Sequence, residues 1–415
     1  MIVAPKPRLL VLTSTFPRWR DDHEPPFVYE LSRRLTDRFA ITVLAPRAPG
    51  SLEHECMDAL QVIRFPYFIP RWEHLATHGG GILNRLRTNP FNYLLVPPFL
   101  IGQWWALHRL LRRQEFDLIH AHWLIPQGLT AVLARWSAHR PLPLVCTSHG
   151  GDLFALRGPL FAWVKRALMN ASTMVSVVST AMHAQVLAMG ISAAKVAVIP
   201  MGVDMQRRFT PDPGAERQAY ELLFVGRLVE KKGLPHLLRA LPTVLARHPQ
   251  TRLIIAGGGP LEGKIRHLCA VAGIGGQVDF LGMVAQSDLP ALYRRATLFV
   301  APFVVAAGGD QEGFPLVPLE AIGCGCPIVC GEVAAFGEVI RNDVEALLVP
   351  TGDPSALSSA IIALLDDPQC RHRLAEAARQ RCLLAFDWES IAGRYADLLL
   401  AAAAGEPAPE GRVHQ

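Results

Sequence analysis

Nothing in this sequence is apolar for long enough to cross a bilayer: its most apolar long stretch, residues 93–108, is interrupted by Pro97, Pro98 and Gln103 and falls short of a spanning helix. The N-terminal run from Leu9 to Leu12 follows Lys6 and Arg8 but stops at Thr13, too short for the core of a signal peptide. No dense tract of one charge exists either. The formal charge is only +5 over 415 residues, which argues against nucleic acid as a partner and leaves an anionic small substrate or an acidic lipid surface open. The eight cysteines are scattered, with neither the density of a disulfide scaffold nor a C-x-x-C spacing. A zinc site and a secreted framework are both disfavoured, and a reducing cytoplasm is the expected compartment. The dinucleotide fingerprint is missing as well: in Gly257-Gly258-Gly259-Pro260-Leu261-Glu262 the third glycine position holds Glu262, which sets aside a nicotinamide-dependent oxidoreductase.

What is present is half apolar and only 19% charged, enough to bury sizeable cores, and the length suits two or three domains. Short apolar runs alternate with helical patterns, the signature of βαβ units and parallel sheets. Strands are expected at 9–14, 41–45, 118–121, 144–148, near 171–178 and at 196–200, with helices at 27–36, 99–113 and 128–138. A polar, proline-containing segment, 205–217, interrupts the alternation. It then restarts with strands at 222–225, 253–256, 278–281, 298–301 and 328–329, and helices at 234–248, 261–272, 289–296, 354–365, 369–384 and 388–403.

The fold class expected is α/β, with two doubly wound Rossmann-like domains facing each other across a cleft lined by the carboxyl ends of both sheets. Residues 1–203 form the first domain, 204–217 the linker and 218–386 the second. Residues 387–404 form a last helix packing back on the first domain, and 405–415 a disordered tail.

Two segments carry chemistry. In Val225-Gly226-Arg227-Leu228-Val229-Glu230-Lys231-Lys232-Gly233 a strand ends in a glycine and delivers cations ahead of a helix, which suits a diphosphate. Gly226 allows a tight turn, Arg227 offers a bidentate fork and Lys232 a point charge; the plain alternative is a solvated basic turn. In Asp310-Gln311-Glu312-Gly313-Phe314-Pro315-Leu316-Val317-Pro318-Leu319-Glu320, Pro315 suits the first turn of a helix and frees the amides after it. Glu312 falls in the loop and Glu320 about two turns into the helix; such carboxylates accept pairs of sugar hydroxyls, although glutamates eight apart also occur on solvated faces.

With His149-Gly150-Gly151-Asp152, these motifs in this order resemble the group 1 glycosyltransferases, glycosyltransferase family 4, over residues 9–400. The resemblance implies the GT-B fold, retention of anomeric configuration and a nucleotide-diphosphate sugar as donor, UDP-, GDP- or ADP-linked, with no cofactor and no metal. It assigns Arg227 and Lys232, beside Gly226, to the donor diphosphate, and Glu312 with the amides of Gly313 and Phe314 to the transferred sugar. Glu320 takes the ribose, Pro315 and Leu316 open the helix that faces the phosphate, and Met283 and Val284 after Gly282 form the nucleobase wall. His149 matches a histidine that faces the transferred sugar near the reacting carbon, though a histidine at a strand end is also often structural. The implied reaction is transfer to a saccharide or lipid-linked acceptor in surface polysaccharide or glycolipid assembly.

The first loop, 16–28, has no glycine where many relatives have a pair, and no catalytic residue is assigned there. His120 and His122 have the spacing of two metal ligands without a third, so a lining or a structural role is expected. Cys324 and Cys326 are expected to pack as small residues. Between Arg85 and Arg113 arginines alternate with aromatics. That pattern suits either an ordinary helix or peripheral contact with the cytoplasmic face of a membrane. A nucleotide-sugar epimerase and a non-catalytic nucleotide-sugar binding protein remain as alternatives.

Overall fold

The computed structural model describes residues 5–20, 22, 26–76, 81–307, 309–337 and 340–409. The chain divides into two compact units, one of Met1–Met201 with Trp388–Gln415, the other of Gly202–Asp387.

The first unit is built on β1 (Arg8–Leu12), β2 (Ala40–Pro46), β3 (His54–Met57), β4 (Leu60–Phe65), β5 (Leu118–His122), β6 (Leu144–Ser148), β7 (Met174–Val177) and β8 (Val196–Val198). Their order in the sheet is β3-β4-β2-β1-β5-β6-β7-β8, parallel throughout except for the β3–β4 hairpin at the edge. The central strands β1, β5 and β6 are buried along nearly their whole length, and β5 and β6 carry polar side chains, His120, His122, Thr147 and Ser148, into that interior. The helices Val96–Arg113, Leu129–Ser137 and Pro159–Ala171 pack side by side, each against the next. Phe27–Leu35 packs with the last helix, Trp388–Ala404. That helix is tied in by Tyr395, whose hydroxyl donates to Ile199 O at 3.0 Å, and by Arg394, which donates to Val198 O at 2.6 Å.

The β3–β4 hairpin and the helices Pro159–Ala171 and Thr180–Ala188 were not among the elements expected from the sequence. The hairpin is four and six residues of mixed polarity, too short for its alternation to stand out. Pro97 and Pro98 do not break their helix; they lie in its first turn, where no amide is needed. Among the described residues no helix is long and apolar enough to cross a membrane.

The second unit holds β9 (Glu221–Val225), β10 (Arg252–Ala256), β11 (Val278–Gly282), β12 (Leu298–Ala301), β13 (Ile328–Gly331) and β14 (Leu347–Val349). All are parallel, in the order β11-β10-β9-β12-β13-β14. Alternate residues of one strand feed different cores: Leu223 and Val225 of β9 join one cluster, Leu222 and Phe224 the other. The segment read as a linker contributes to the first of these. Met205 and Phe209 are buried in it, and the backbone of Gly323 packs so closely on Phe209 that a Cβ there would meet its carbonyl oxygen at 2.6 Å.

Of the expected tail, residues 410–415 lie outside the described residues, while the Ala408 amide donates to Ala194 O at 3.1 Å.

Candidate functional site

In the second unit the strand order reverses between β9 and β12, and the loops leaving their carboxyl ends part there, the place where open parallel sheets bind ligands. Both motifs of this unit lie on those two loops. After Val225 the chain passes through Gly226 and the half-buried Arg227, makes a single 3-10 turn over Glu230–Lys232, and enters helix Leu234–Arg247 through Gly233 at φ 69°. A Cβ on Gly233 would stand 1.7 Å from Pro302 O, in the loop after β12, so only glycine lets the two loops touch. Val304 N–H then donates to Lys231 O (3.0 Å) and Ala307 N–H to Glu230 Oε1 (2.9 Å), fastening one loop to the other.

This fastening brings the charges together. Lys232 Nζ lies 3.2 Å from Glu312 Oε2, and Lys231 Nζ lies 3.5 Å from Glu312 Oε1 and 3.3 Å from Asp310 Oδ1. The side chains of Lys232 and Glu312 are only 13% and 11% exposed. Burial by itself pushes the Glu312 carboxyl up, but the ammonium groups of Lys232 and Lys231 outweigh it and hold the carboxyl below its ordinary range. Burial likewise opposes the charge on Lys231, which Glu312 and Asp310 restore and raise. The Lys232 ammonium also sits 4.9 Å over the Phe303 ring.

Pro315 occupies the cap position, and the helix runs over Leu316–Gly323, so Glu320 lies about one turn into it rather than two. Among the described residues no side chain caps this end, and the amides of Leu316 and Val317, in the first turn, have no intrahelical acceptor. Gly313 is buried, and Phe314 packs against Phe386 with centroids 5.5 Å apart. Glu320 is buried and accepts a 2.8 Å hydrogen bond from the Tyr293 hydroxyl. Burial raises its carboxyl to about 6 despite that bond. Met283, 65% exposed, and the half-buried Val284 follow β11, two strands from β9 and hence roughly 10 Å along the sheet.

In the first unit His149 follows β6 and is half-buried among aromatic rings, 5.0 Å from Phe27, 4.9 Å from Trp123 and 5.2 Å from His122 by centroids. Burial pushes His149 down to about 3, so the ring is neutral. Asp152 is a brace: its carboxylate accepts from Leu124 N–H (2.6 Å) and Ser148 Oγ–H (2.8 Å), joining the loops after β5 and β6. The glycine-less first loop is braced by the buried pair of Arg18 and Asp22, with Nε to Oδ2 at 2.8 Å and Nη2 to Oδ1 at 2.6 Å. Residues 21 and 23–25 of that loop lie outside the described residues. Cys324 and Cys326 are buried and reduced within the core.

Three contributors escaped the sequence reading: Lys231 as a second partner of Glu312, Asp310 as its counter-ion, and Tyr293 as the donor to Glu320. Each acts across 27 to 81 residues of chain, where local pattern carries no signal.

Two family models match successive parts of the chain: residues 26–207 match Glycosyltransferase Family 4, and residues 206–381 match Glycosyl transferases group 1. It is 28% identical over 404 residues to the GDP-mannose-dependent alpha-(1-6)-phosphatidylinositol monomannoside mannosyltransferase of Mycolicibacterium smegmatis, covering 94% of this chain and 98% of that protein. It is 31% identical over 314 residues to the glycogen synthase of Mycobacterium tuberculosis, covering 72% of each. Among solved structures it resembles the sucrose-phosphate synthase of Thermosynechococcus elongatus, with a TM-score of 0.78 at 21% identity over 97% of this chain and all of that one. It also resembles Anabaena HepE in complex with UDP and glucose, with a TM-score of 0.71 at 20% identity over 95% and 99%.

Proposed function

We propose, for a chain that belongs to the group 1 glycosyl transferases of glycosyltransferase family 4, a retaining transfer of a hexose from a nucleotide-diphosphate sugar to a lipid-linked or saccharide acceptor. The observation that supports it best is the meeting of Lys232 and Glu312 at the point where the strand order reverses. An ammonium there neutralises the charge that builds on a departing diphosphate, and Arg227 supplies a second cation, so the scheme requires no metal. Glu312, held ionised by its lysines, accepts hydroxyls of the sugar, aided by the amides of Gly313 and Phe314. The free amides after Pro315 face phosphate oxygens, Glu320 holds the ribose, and Met283 with Val284 flanks the base. His149 faces the transferred sugar. The departing phosphate takes the acceptor proton as the acceptor enters on the same face of the sugar.

The test is nucleotide release by the purified protein across a panel of UDP-, GDP- and ADP-sugars, with GDP-mannose first because relatives are named for it. One donor should be cleaved, chelator should leave the rate unchanged, and Lys232→Ala should lower turnover by about 100-fold or more. A folded Lys232→Ala at wild-type rate would remove the diphosphate assignment. Products retaining the nucleotide but altered at the sugar would instead identify an epimerase, and tight binding without turnover a non-catalytic binder.

A lipid-linked acceptor at the cytoplasmic face of a membrane is favoured by the surface of the first unit. Between Glu73 and Asp204 stand eleven Lys and Arg against three acids, one of them the buried Asp152. Three adjacent helices each expose a tryptophan, namely Trp105 (56%), Trp136 (79%) and Trp163 (68%), and a groove of about 320 Å³ lined by Ile101, Trp104, Leu133 and Trp136 runs between two of them. Basic residues and interfacial tryptophans suit an anionic bilayer. The protein should float with anionic vesicles and not with neutral ones, and Trp136→Asp should weaken recovery; no flotation in either case would remove the membrane from this reading.

A further inference from the structure

The transfer scheme uses one histidine of the first unit, yet three lie together. His120 and His122 stand on β5, buried, with ring centroids 4.2 Å apart. His122 Nδ1 is 3.0 Å from His149 Nε2, and the planes of those two rings are inclined by only 13°. His120 turns its Nε2 to Thr147 Oγ1 at 2.7 Å. Burial pushes His120 and His149 down to about 3 and His122 well below its ordinary value, so all three are neutral imidazoles at neutral pH.

A neutral imidazole carries one proton on one of its two nitrogens. The His122–His149 contact joins unlike nitrogens, Nδ1 of one ring and Nε2 of the other, and it is a hydrogen bond only if one is protonated and the other bare. Should His122 Nδ1 donate, the proton of His149 must sit on its own Nδ1. Should His149 Nε2 donate, the proton of His122 must sit on its Nε2. In both cases the two rings are the same tautomer. Among the described residues His149 Nδ1 has no hydrogen-bond partner, and the ring is half-buried, so Nδ1 is the nitrogen offered to a ligand. Whether it donates or accepts is therefore coupled to the tautomer of His122.

We propose that His122 is a positioning residue for His149: it holds the ring plane and, through matched tautomers, ties the donor or acceptor character of His149 Nδ1 to its own protonation. The backbone of His122 is fixed at the end of its strand. With its amide oriented to suit both neighbours, Gln127 donates to His122 O at 3.0 Å and accepts from Ser14 N–H at 3.1 Å, and His122 Nε2 is buried with no partner among the described residues. This inference rests on the reading that places His149 at the transferred sugar.

The decisive measurement is a two-bond proton–nitrogen correlation spectrum of the full chain labelled with 15N-histidine, which reports each ring's tautomer without reference to activity. His122 and His149 should share one tautomer in the wild type. In His122→Phe the His149 ring should average over both forms, and turnover of the cleaved donor should fall by about 100-fold with donor affinity unchanged. His122→Asn, whose amide can hydrogen-bond either tautomer of His149 at the same place, should restore the ring's placement and most of the turnover without fixing one tautomer. Opposite tautomers in the wild type, or a His149 signal indifferent to His122→Phe, would overturn the pairing. Matched tautomers with unchanged turnover in His122→Phe would overturn the positioning role. If His149→Ala also left turnover unchanged while Lys232→Ala abolished it, the failure would lie in the placement of His149 at the sugar.

Discussion

Glu320 keeps its carboxyl in a place that disfavours charge. Its folded value of about 6 lies above the ordinary 4.5, with burial the main cause and the Tyr293 hydroxyl working against it. A raised carboxyl binds its proton more tightly folded than unfolded, so its contribution to stability is full below pH 4.5 and is lost as pH rises through 6. Above that window the ionised group costs about 2 kcal/mol relative to an uncharged one. Glu320→Gln should therefore unfold at higher urea than the wild type at pH 7.5, with an advantage about 2 kcal/mol larger than at pH 4, while binding donor more weakly. A difference that does not change with pH would show that the carboxyl is not perturbed in this direction. Glu312 has the opposite sign: its lysines hold it low, so its contribution is present at neutral pH and is lost as pH falls. Both glutamates were legible from their motif. Their environments were not, because Tyr293 stands 27 residues from Glu320 and Lys231 81 residues from Glu312.

Elements matter here chiefly at their ends. The loop after β9 can press on its neighbours because Gly233 and Gly257 have no side chain: a Cβ on Gly257 would lie 2.0 Å from Gly226 O, at φ 139°, just as one on Gly233 would strike Pro302 O. Gly233→Ala must move one loop off the other and adopt a left-handed backbone besides. It should destabilise the second unit by roughly 3 kcal/mol or more, in the range of severe backbone clashes. Its donor affinity should fall in parallel, since the Lys232–Glu312 contact depends on those loops touching; calorimetric titration with the cleaved donor reads this directly. Unaltered affinity would separate donor binding from the fastening of the loops. Long helices and central strands stood out in the sequence because their apolar periods repeat several times. The β3–β4 hairpin and β14 did not, being four, six and three residues long.

The chain as a whole is interrupted rather than sequential: the second unit is continuous, and the first is completed by Trp388–Ala404 from the far end. Ile391, Tyr395, Leu398 and Leu399 of that helix are fully buried, and it packs on Phe27–Leu35, β5 and β6. Deleting residues 388–415 should therefore loosen the first unit and spare the second. Peptide-resolved hydrogen exchange should accelerate across β5 and β6 and stay at the wild-type rate across β9 to β13. Equal acceleration in both would mean that the last helix supports more than its own unit.

The sequence by itself determined what local repetition and composition can carry. The alternation of strands and helices, the two doubly wound halves, and the two separate motifs, Arg227 with Lys232 and Glu312 with Glu320, were readable because each depends on residues within a few turns of one another. Only the tertiary structure decided which of those residues meet. That Glu312 lies between two lysines, that Glu320 rests on Tyr293, that Met205 and Phe209 are buried in a core, and that His122 meets His149 all follow from where the sheets place distant segments. Burial and hydrogen bonding act through space, and chain order does not record them.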